Sequence, residues 1–579
     1  MKIILHQTHH QVADLEAIKD YLFEVIDNHK EQAIHLFPEL FLTGYPLQDI
    51  VLHRPFIDSY QQLIADINQK LKGSQSEGLF LIGGLYYRFD DQNLPLSITN
   101  VIYKANFGEG LQRVYTKQLL PNYDIFDEDK YFLEGNGPKV LSYKGKRLAC
   151  LICEDMWPST VHPHDPVHQY KGENLDLVIN LSGSPFNLGK QEKRITRAKE
   201  ISNLLKAPFA YVNRVGGEDE VLFDGGSFLV NGNETIDVSP LFKKDVLTSE
   251  LPEKLDSYDK VSKEPENTWE SLFDPKVVTN DRPSRLKDIQ DHYCEDILSA
   301  LKFGLQEYAQ KSGFNKFLVA LSGGIDSALV VAIAKLSLRE GQSLECIYMP
   351  SQYSSSQSYD LSFEMCKNLG INIKSLPIKF LHSTVKNTYL QTYNEQLEGL
   401  ANENIQSRLR GSLLYARSNA TNALVINTSN KSELAVGYST LYGDSVGAIS
   451  LLGDLYKLEV YKLADYINRK YDNIIPQGII DRPPTAELKD DQQDSQSLPP
   501  YERLDPILEG ILSYRLGVND LVDQGHDIEE IKKVCGLYLK SEYKRKQFCP
   551  IIKIKAKSFG FGYRQPISKN LNYFIPRSL

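Results

Sequence analysis

The stretch FLVALSGGIDSALVVAIAKLSL, residues 317–338, places a glycine loop between two apolar runs and decides the fold of the second half of the chain. Residues 317–321 predict a buried strand, and residues 328–338 predict a helix. A further apolar run at residues 344–349 predicts a second strand. A strand, a helix and another strand in this order form a parallel βαβ unit. We therefore expect a doubly wound parallel sheet in this half.

The loop between strand and helix consists of Ser322, Gly323, Gly324, Ile325, Asp326 and Ser327. Small residues let backbone N–H groups approach an anion at the start of a helix, where the helix dipole favours negative charge. The loop lacks the Gly-Lys-Ser/Thr ending of a Walker loop. A phosphate-binding loop is one interpretation of this pattern, and an ordinary strand-to-helix turn is the other.

The 579 residues exceed the size that one hydrophobic core usually organises, so the sequence predicts at least two domains. Up to residue 247, short apolar runs alternate with helical stretches, which favours a layered α/β fold. Residues 248–282 are charged and poor in apolar runs, which is typical of a linker. After Pro283 an amphipathic helix is predicted to about residue 312. The predicted domains are residues 1–247 and 283–579.

The composition excludes several classes of protein. A net charge of -10 argues against a protein that binds nucleic acid. No apolar stretch is long enough to span a bilayer. Seven scattered cysteines fit a reducing compartment better than a disulfide framework. We therefore expect a cytoplasmic protein with no nucleic-acid partner and no membrane partner.

Three residues of the first half are candidates for covalent catalysis: Cys153 in LACLICEDMW, Glu39 in FPELFLTGYP and Lys117 in TKQLLP. A cysteine attacks as thiolate, which requires a base or a positive charge nearby, and acyl transfer also requires an oxyanion stabiliser. Each candidate lies just beyond an apolar run, where a side chain can face a cleft. The alternative is a buried cysteine, a solvated carboxylate and a surface ammonium.

Cys150 and Cys153 also form a CxxC pattern, which can indicate a redox pair or two zinc ligands. However, an offset of three on a strand puts their side chains on opposite faces, which disfavours both interpretations.

These segments resemble the signature stretches of the nitrilase-type amidases over residues 1–245. The resemblance implies an αββα sandwich in which Cys153 attacks a carboxamide, Glu39 acts as general base and Lys117 stabilises the oxyanion. The segments LPNYDIFDEDKYF and NLSGSPFNLGKQEKR are similar to the glutaminase branch of that family. By this resemblance three residues hold the substrate glutamine: Tyr123, Ser184 and Lys190.

The glycine loop resembles the PP-loop of ATP pyrophosphatases, which cleave ATP between the α and β phosphates and release pyrophosphate. Four later segments, residues 403–411, 425–444, 483–505 and 541–547, resemble the NAD synthetases. This resemblance implies that the loop residues and Thr428 bind ATP. It also implies that Asn404, Glu433 and Lys544 bind deamido-NAD(+). Asp326 and Glu433 offer oxygen ligands for Mg²⁺, and whether Glu433 serves metal, substrate or both stays open.

A nitrilase-type glutaminase joined to a PP-loop domain resembles the glutamine-dependent NAD(+) synthetases over nearly the whole chain. The resemblance implies ATP-dependent amidation of deamido-NAD(+) with ammonia from L-glutamine, the last step of NAD(+) biosynthesis, with L-glutamate, AMP and diphosphate as the other products. By the same resemblance we expect a homo-oligomer. We also predict a channel for ammonia, because ammonia in water at pH 7 is mostly protonated. The alternatives are another glutamine-fed PP-loop ligase, a PP-loop RNA sulfur transferase and a regulatory protein built from two pseudo-enzyme domains.

Overall fold

The computed structural model describes residues 1–92, 94–157, 164–255, 257–259, 291–485, 487–489 and 497–570. The chain divides into two compact units, Met1–Phe273 and Asp274–Leu579, and the point of division lies outside the described residues. Most of the predicted linker lies outside them as well, so the predicted domain bounds stay predictions. Within the described part of the chain, no helix is both long enough and apolar enough to cross a membrane.

The first unit contains two six-stranded sheets. One sheet has the order β14-β1-β2-β3-β4-β5 and mixes parallel with antiparallel pairs. Its strands are β1 (Lys2–Gln7), β2 (Ala33–Leu36), β3 (Leu79–Phe89), β4 (Pro95–Asn106), β5 (Gly110–Thr116) and β14 (Asp245–Glu250). Strand β14 includes residues that we assigned to the linker, and its side chains alternate between half-buried and exposed. This alternation is typical of an antiparallel strand at the edge of a sheet with one solvated face.

The second sheet of this unit has the order β13-β12-β9-β8-β7-β6. Its strands are β6 (Val140–Tyr143), β7 (Lys146–Ile152), β8 (Leu177–Ser182), β9 (Phe209–Asn213), β12 (Phe228–Asn231) and β13 (Glu234–Val238). A separate hairpin joins β10 (Val215–Glu218) to β11 (Val221–Asp224). Every residue of β8 is buried, as expected for a parallel strand that is covered on both faces.

The two sheets pack face to face between outer helices α1 (Leu15–Asn28), α2 (Arg54–Lys72) and α3 (Lys190–Leu205). Leu5 of the first sheet and Ile179 of the second belong to one buried cluster between the sheets. Helices α1 and α2 pack on the other face of the first sheet, and α3 packs on the other face of the second. This arrangement confirms the αββα sandwich.

The second unit is built on a five-stranded parallel sheet with the order β17-β16-β15-β18-β19. Its strands are β15 (Lys316–Ala320), β16 (Ser343–Tyr348), β17 (Asn372–Ser375), β18 (Leu424–Asn427) and β19 (Ile449–Ser450). The chain runs outward from β15 to β17 and then returns to the opposite side of β15 with β18. The strand order therefore reverses between β15 and β18, and ligands of such sheets bind at the carboxyl ends of the strands at this point.

Helices cover this sheet on both faces, as right-handed crossovers require. The longer ones are α4 (Asp291–Lys311), α5 (Ile325–Ser337), α6 (Ser356–Leu369), α7 (Lys379–Tyr393), α8 (Gly399–Thr421), α10 (Lys457–Lys470), α12 (Tyr501–Ser513) and α14 (Ile528–Lys540). The short ones are α9 (Lys431–Val436), α11 (Gln477–Ile480), α13 (Val518–Asp523) and α15 (Glu542–Arg545). The doubly wound sheet is confirmed.

Helix α5 begins three residues earlier than we predicted, at Ile325 instead of Ala328. The hydroxyl of Ser327 donates to the carbonyl of Gly324 at 3.0 Å, within the first turn. Because of this early start, Asp326 and Ser327 belong to the helix N-terminus and not to an extended loop. The start of α4 before Asp291 lies outside the described residues.

Candidate active sites

The first unit encloses a buried ring of charged side chains. Lys117, which follows β5, donates from Nζ to Glu39 Oε1 at 2.7 Å and to the two carboxylate oxygens of Glu128 at 2.9 and 2.7 Å. Glu39 also accepts hydrogen bonds from Asn100 Nδ2 at 2.7 Å and from the backbone N–H of Gly183 at 2.9 Å. The side chains of Lys117, Glu39 and Glu128 are 1%, 0% and 4% exposed. Their mutual attraction is therefore only weakly screened by water.

Cys153 lies directly after β7, on a short 3₁₀ turn that ends at Met156. Its φ of +42° lies in the left-handed region, which non-glycine residues seldom adopt. The backbone N–H of Cys153 donates to Asn180 Oδ1 at 2.8 Å, and Asn180 belongs to the neighbouring strand β8. The sharp turn therefore places the thiol just beyond the carboxyl end of β7. The side chain of Asn180, on the next strand, holds the backbone of this turn in place.

Asp155 connects this turn to the segment that carries Lys117. Its carboxylate accepts hydrogen bonds from the backbone N–H groups of Ile152 at 3.0 Å, Gln118 at 3.1 Å and Leu119 at 2.8 Å. Asp155 is fully buried. One carboxylate thus fixes the backbone on both sides of the site.

The electrostatics of this site favour a protonated thiol at rest. Burial and then the charge of Glu39 raise the pKa of Cys153 well above its ordinary value, and the opposing effect of Lys117 is smaller. Burial lowers the pKa of Lys117, but the carboxylates of Glu128 and Glu39 together raise it well above its ordinary value. Burial raises the pKa of Glu128 to about 7. The thiol therefore needs a base to become nucleophilic, and the charge of Glu39 acts directly on it.

Two of the predicted glutamine-binding residues lie beside Glu154, the residue that follows Cys153. Tyr123 donates from its hydroxyl to Glu154 Oε1 at 2.9 Å. The ammonium of Lys190 lies 4.2 Å from the ring centre of Trp157. Burial lowers the pKa of Lys190 to about 8, and the charges of Glu154 and Cys153 act on it in the opposite direction. A carboxylate and an ammonium next to a thiol suit the charged ends of an α-amino acid.

Ser184, the third predicted residue, is held by the guanidinium of Arg194. Arg194 Nη2 donates to the carbonyl of Ser184 at 3.0 Å, and Nη1 donates to both carboxylate oxygens of Asp224 at 2.8 Å. Asn213 Oδ1 accepts from the backbone N–H of Ser184 at 2.9 Å. Ser184 is therefore buried, and both its backbone N–H and its carbonyl are bonded within the protein, so its predicted contact with glutamine stays a prediction.

In the second unit, a cavity opens at the carboxyl ends of β15 and β18. The predicted residues that line it are Ser322, Gly324, Ile325, Asp326, Ser327, Thr428 and Glu433. Gly323 adjoins them, with a φ of +82°, and an added Cβ would lie 2.7 Å from the carbonyl oxygen of Ser358. Glycine is required at this position because both the backbone angle and the close approach of α6 exclude a side chain. The loop is therefore tightly held against a neighbouring helix.

Four side chains meet at one end of this cavity. Asp326 accepts a hydrogen bond from Asn430 Nδ2 at 2.9 Å, and its second oxygen contacts Lys457 Nζ. Lys457 Nζ also lies 3.8 Å from Glu433 Oε1. Burial lowers the pKa of Lys457, but Asp326 and Glu433 together raise it above its ordinary value. A buried ammonium here can neutralise phosphate oxygens that enter the cavity.

The structure does not place Asn404 and Lys544 in the lining of this cavity. Both contact the neighbouring segment 437–440. Lys544 Nζ donates to the carbonyls of Gly437 at 2.7 Å and Ser439 at 2.6 Å, and Asn404 Oδ1 accepts from the hydroxyl of Thr440 at 2.7 Å. This segment reaches the cavity through Tyr438.

Sequence reasoning missed Glu128, Asp155 and Lys457. Glu128 lies in the acidic run DEDK, and Lys457 begins a helix that is rich in charged residues. In both segments the sequence does not distinguish a buried charged residue from its solvent-exposed neighbours. The signal that could have identified them is their proximity in the fold, which spacing along the chain does not reveal.

A family model described as NAD synthase matches residues 297–548. The glutamine-dependent NAD(+) synthetase of Synechocystis sp. is 36% identical over 543 residues, which cover 92% of this chain and 92% of the relative. The glutamine-dependent NAD(+) synthetase of Aquifex aeolicus is 34% identical over 580 residues, which cover 98% of this chain and 99% of the relative. The chain belongs to the glutamine-dependent NAD(+) synthetases.

A solved glutamine-dependent NAD(+) synthetase, that of Acinetobacter baumannii in complex with adenosine diphosphate, is 29% identical to this chain. The structural match covers 98% of this chain and 98% of the solved chain, with a TM-score of 0.69. The family resemblance predicted from the sequence motifs is thereby confirmed, in both halves of the chain. Like these glutamine-dependent NAD(+) synthetases, the chain combines its two units in one polypeptide.

Proposed function

We propose that the first unit releases ammonia from L-glutamine at Cys153 and that the second unit uses it, with ATP as cosubstrate, to convert deamido-NAD(+) into NAD(+). The single observation that carries this proposal is the buried contact between Lys117 and Glu39, whose charges act on Cys153. In a member of this family, such a site supports amide hydrolysis and not merely glutamine binding. Tyr123, Ser184 and Lys190 would hold the glutamine.

The first reaction begins with a proton transfer, because the thiol of Cys153 is protonated at rest. Glu39 takes this proton, and the thiolate attacks the carboxamide carbon of glutamine. Lys117 stabilises the oxyanion of the tetrahedral intermediate. The proton held by Glu39 then goes to the departing nitrogen, and ammonia leaves. Water next hydrolyses the thioester, which gives L-glutamate and restores the thiol.

The second reaction uses the cavity at the strand ends. The PP-loop N–H groups and the ammonium of Lys457 would bind the phosphates of ATP, and Thr428 would contact its adenosine part. The carboxylate of deamido-NAD(+), held near Asn404, Glu433 and Lys544, attacks the α phosphate and displaces diphosphate. Ammonia then attacks the acyl adenylate and displaces AMP, which leaves the carboxamide of NAD(+).

Asp326 and Glu433 would hold Mg²⁺, which neutralises phosphate charge during this reaction when it is bound. Both carboxylates line the cavity and lie within reach of one ammonium, so their oxygens converge. Among the described residues there is no group of three or more His, Cys, Asp or Glu side chains that could hold a metal ion. This fits Mg²⁺, which usually takes one or two carboxylates and completes its shell with phosphates and water.

We also propose a homo-oligomer in the cytoplasm. In α7, His382 is the one fully buried side chain, and Phe380 is 80% exposed. Leu390 and Tyr393 of α7 and Leu400 of α8 are also exposed. A second copy of this chain would cover part of these apolar side chains. Light scattering of the variant Phe380→Asp should give a lower mass than the native protein, whereas Leu52→Asp, at an exposed leucine of the first unit, should not.

An isotope experiment tests the proposed function as a whole. The protein is incubated with deamido-NAD(+), Mg-ATP and glutamine labelled with ¹⁵N at the amide. We expect the label in the carboxamide of NAD(+), with AMP and diphosphate formed in amounts equal to NAD(+). ADP and phosphate as products, or labelled ammonia without any NAD(+), would contradict the proposal.

A further inference from the structure

Behind the cavity of the second unit lies a buried carboxyl group, that of Asp505 in helix α12. Asp505 is 0% exposed and does not line the cavity. Its Oδ1 accepts a hydrogen bond from the hydroxyl of Ser432 at 2.5 Å. Its Oδ2 accepts from the backbone N–H of Leu458 at 3.0 Å. A buried carboxyl that makes two hydrogen bonds to separate segments connects them firmly, because leaving either group unpaired is costly.

The two bonded groups are the sequence neighbours of two residues of the site. Ser432 precedes Glu433 in α9, and Leu458 follows Lys457 at the start of α10. The hydroxyl of Ser432 also accepts a hydrogen bond from the backbone N–H of Lys457 at 2.9 Å. Asp505 and Ser432 therefore join the backbone of α9 to the first two residues of α10.

This connection determines how the charged groups of the cavity are spaced. Lys457 Nζ contacts Asp326 and lies 3.8 Å from Glu433 Oε1. The side chain of Lys457 is long and flexible, so its ammonium stays between the two carboxylates only while its backbone is fixed. The carboxyl of Asp505 also lies at the N-terminus of α10, where it accepts from a backbone N–H that has no partner within the helix. Burial raises the pKa of Asp505 to about 7, so its role here rests on these hydrogen bonds and not on its charge.

We propose that Asp505, acting through Ser432, is a positioning residue for the ATP-dependent reaction: it sets the distance between Glu433 and Lys457 without touching the substrate. The inference rests on the proposed function of the second unit. A misplacement of about 1 Å at a reacting site can cost on the order of 100-fold in rate. The loss of this connection should therefore reduce turnover more than it reduces stability.

The test uses the full chain and ammonium as nitrogen donor, so that the first unit is not needed. Asp505→Asn keeps the shape of the side chain but replaces one acceptor oxygen by a donor. Ser432→Ala removes the hydroxyl alone and serves as a second variant if Asp505→Asn does not fold. Leu508→Ala is the matched control, because Leu508 lies on the same helix and is 0% exposed.

Three quantities are measured for each variant: kcat and KM for Mg-ATP, the urea midpoint of unfolding, and the affinity for ADP without added metal by calorimetry. We expect kcat to fall about 10- to 100-fold in Asp505→Asn and in Ser432→Ala, and ADP affinity to fall as well. Leu508→Ala should lower the urea midpoint and leave kcat within about twofold. The double variant should be no slower than the slower single variant, since both remove the same connection.

A purely structural role gives a different result. In that case Asp505→Asn and Ser432→Ala lower the urea midpoint as Leu508→Ala does and leave kcat and ADP affinity unchanged, which overturns the inference. Independent, additive losses in the double variant also overturn it. If the native protein forms no NAD(+) from ammonium, glutamine replaces it as the donor. If the native protein forms no NAD(+) from either donor, the proposed function fails, and ADP affinity in the variants still decides whether Asp505 positions the nucleotide site.

Discussion

The charged groups of the first unit's site are paired with one another, whereas those of the second unit's site border an open cavity. Lys117 has two carboxylate partners whose side chains are 0% and 4% exposed. Lys457 is equally buried, at 2%, but its partners Asp326 and Glu433 are each 17% exposed. The first site thus carries its full set of charges before any substrate binds. The second leaves two carboxylates open to whatever enters the cavity.

The difference follows from the two kinds of chemistry. A thiol nucleophile, its base and its oxyanion stabiliser are all side chains, so the protein can complete the site by itself and exclude water. A nucleotide site must accept phosphates that carry several negative charges and a cation that accompanies them. Its protein groups therefore remain partly solvated until the ligand binds.

The largest effect should come from removing the central charge of the first site. Lys117→Met leaves Glu39 and Glu128 buried without their common partner. We expect a loss of about 3–5 kcal/mol in the free energy of unfolding, because one partner of a buried pair is removed. Urea unfolding checks this, with Lys144→Met as control, since Lys144 is 46% exposed and pairs with Glu77 at 3.5 Å. An equal loss of unfolding free energy in both variants would contradict the description of the first site as buried and fully paired.

The glycine loop of the second site should be the next most sensitive position. Gly323→Ala meets both an unfavourable φ of +82° and the carbonyl of Ser358 at 2.7 Å, whereas Gly341→Ala meets a φ of +80° and open space. The backbone angle costs each variant about 1–3 kcal/mol. The close approach adds about 1–3 kcal/mol to Gly323→Ala alone. Urea unfolding of the pair measures the difference, and identical losses would show that α6 does not hold the loop.

Removing the cation of the second site should cost less stability than Lys117→Met. In Lys457→Met, water can reach Asp326 and Glu433, and Asn430 still donates to Asp326. We expect a loss of about 1.5–3 kcal/mol in the free energy of unfolding, as for one charged hydrogen bond. The KM for ATP should rise at least tenfold, about 1.4 kcal/mol in binding. A loss as large as that of Lys117→Met would remove the contrast between the two sites.

The smallest expected effect concerns the stability of the first unit in acid, and it involves histidines outside the proposed Cys153 site. Burial lowers the pKa of His35 to about 3, and burial followed by the charge of Arg214 lowers that of His10 to about 4. In the unfolded chain a histidine takes up a proton near pH 6.5. The unfolded state therefore binds more protons below pH 6.5, and the free energy of unfolding falls as the pH falls from 6.5 to 4.

His35→Phe should make this decline shallower, since His35 stacks on Phe80 with ring centres 4.3 Å apart and a phenyl ring can take its place. The variant should be less stable than the native protein at pH 7, because the hydrogen bond between His35 and His6 is lost. Urea unfolding at several pH values between 4 and 7 measures the slope. Parallel curves for variant and native protein would contradict the assignment.

The sequence predicted the parts of the fold that depend on local pattern. The apolar run, the glycine loop and the following helix at residues 317–338 need no distant contact to be recognised, and the structure contains them with the helix start shifted to Ile325. Strand β14 was missed because an edge strand needs few apolar residues, so DVLTSE resembles a charged linker. The pairing of β14 with β1 depends on residues that are 238 to 248 positions apart.

The candidate sites divide in the same way. Glu39 and Lys117 were chosen from motifs, and in the structure Lys117 Nζ lies 2.7 Å from Glu39 Oε1. Glu128, Asp155 and Lys457 could not be chosen, because the sequence does not show that these charged residues are buried beside the candidate residues. For Asn404 and Lys544 the motifs predicted contact with a ligand. In the structure both side chains contact the protein segment 437–440. Their proposed role at deamido-NAD(+) depends on that segment.

The most direct test of two separable sites is NAD(+) formation from deamido-NAD(+) and Mg-ATP with either glutamine or ammonium as donor. Native protein, Cys153→Ala and the control Cys150→Ala are compared, since Cys150 is also fully buried and lies on the preceding strand. We predict that Cys153→Ala loses glutamine-dependent synthesis by on the order of 1000-fold or more, as expected for a lost nucleophile, and keeps its rate with ammonium. Cys150→Ala should use both donors. Equal loss with both donors in Cys153→Ala, or unchanged use of glutamine, would contradict the account.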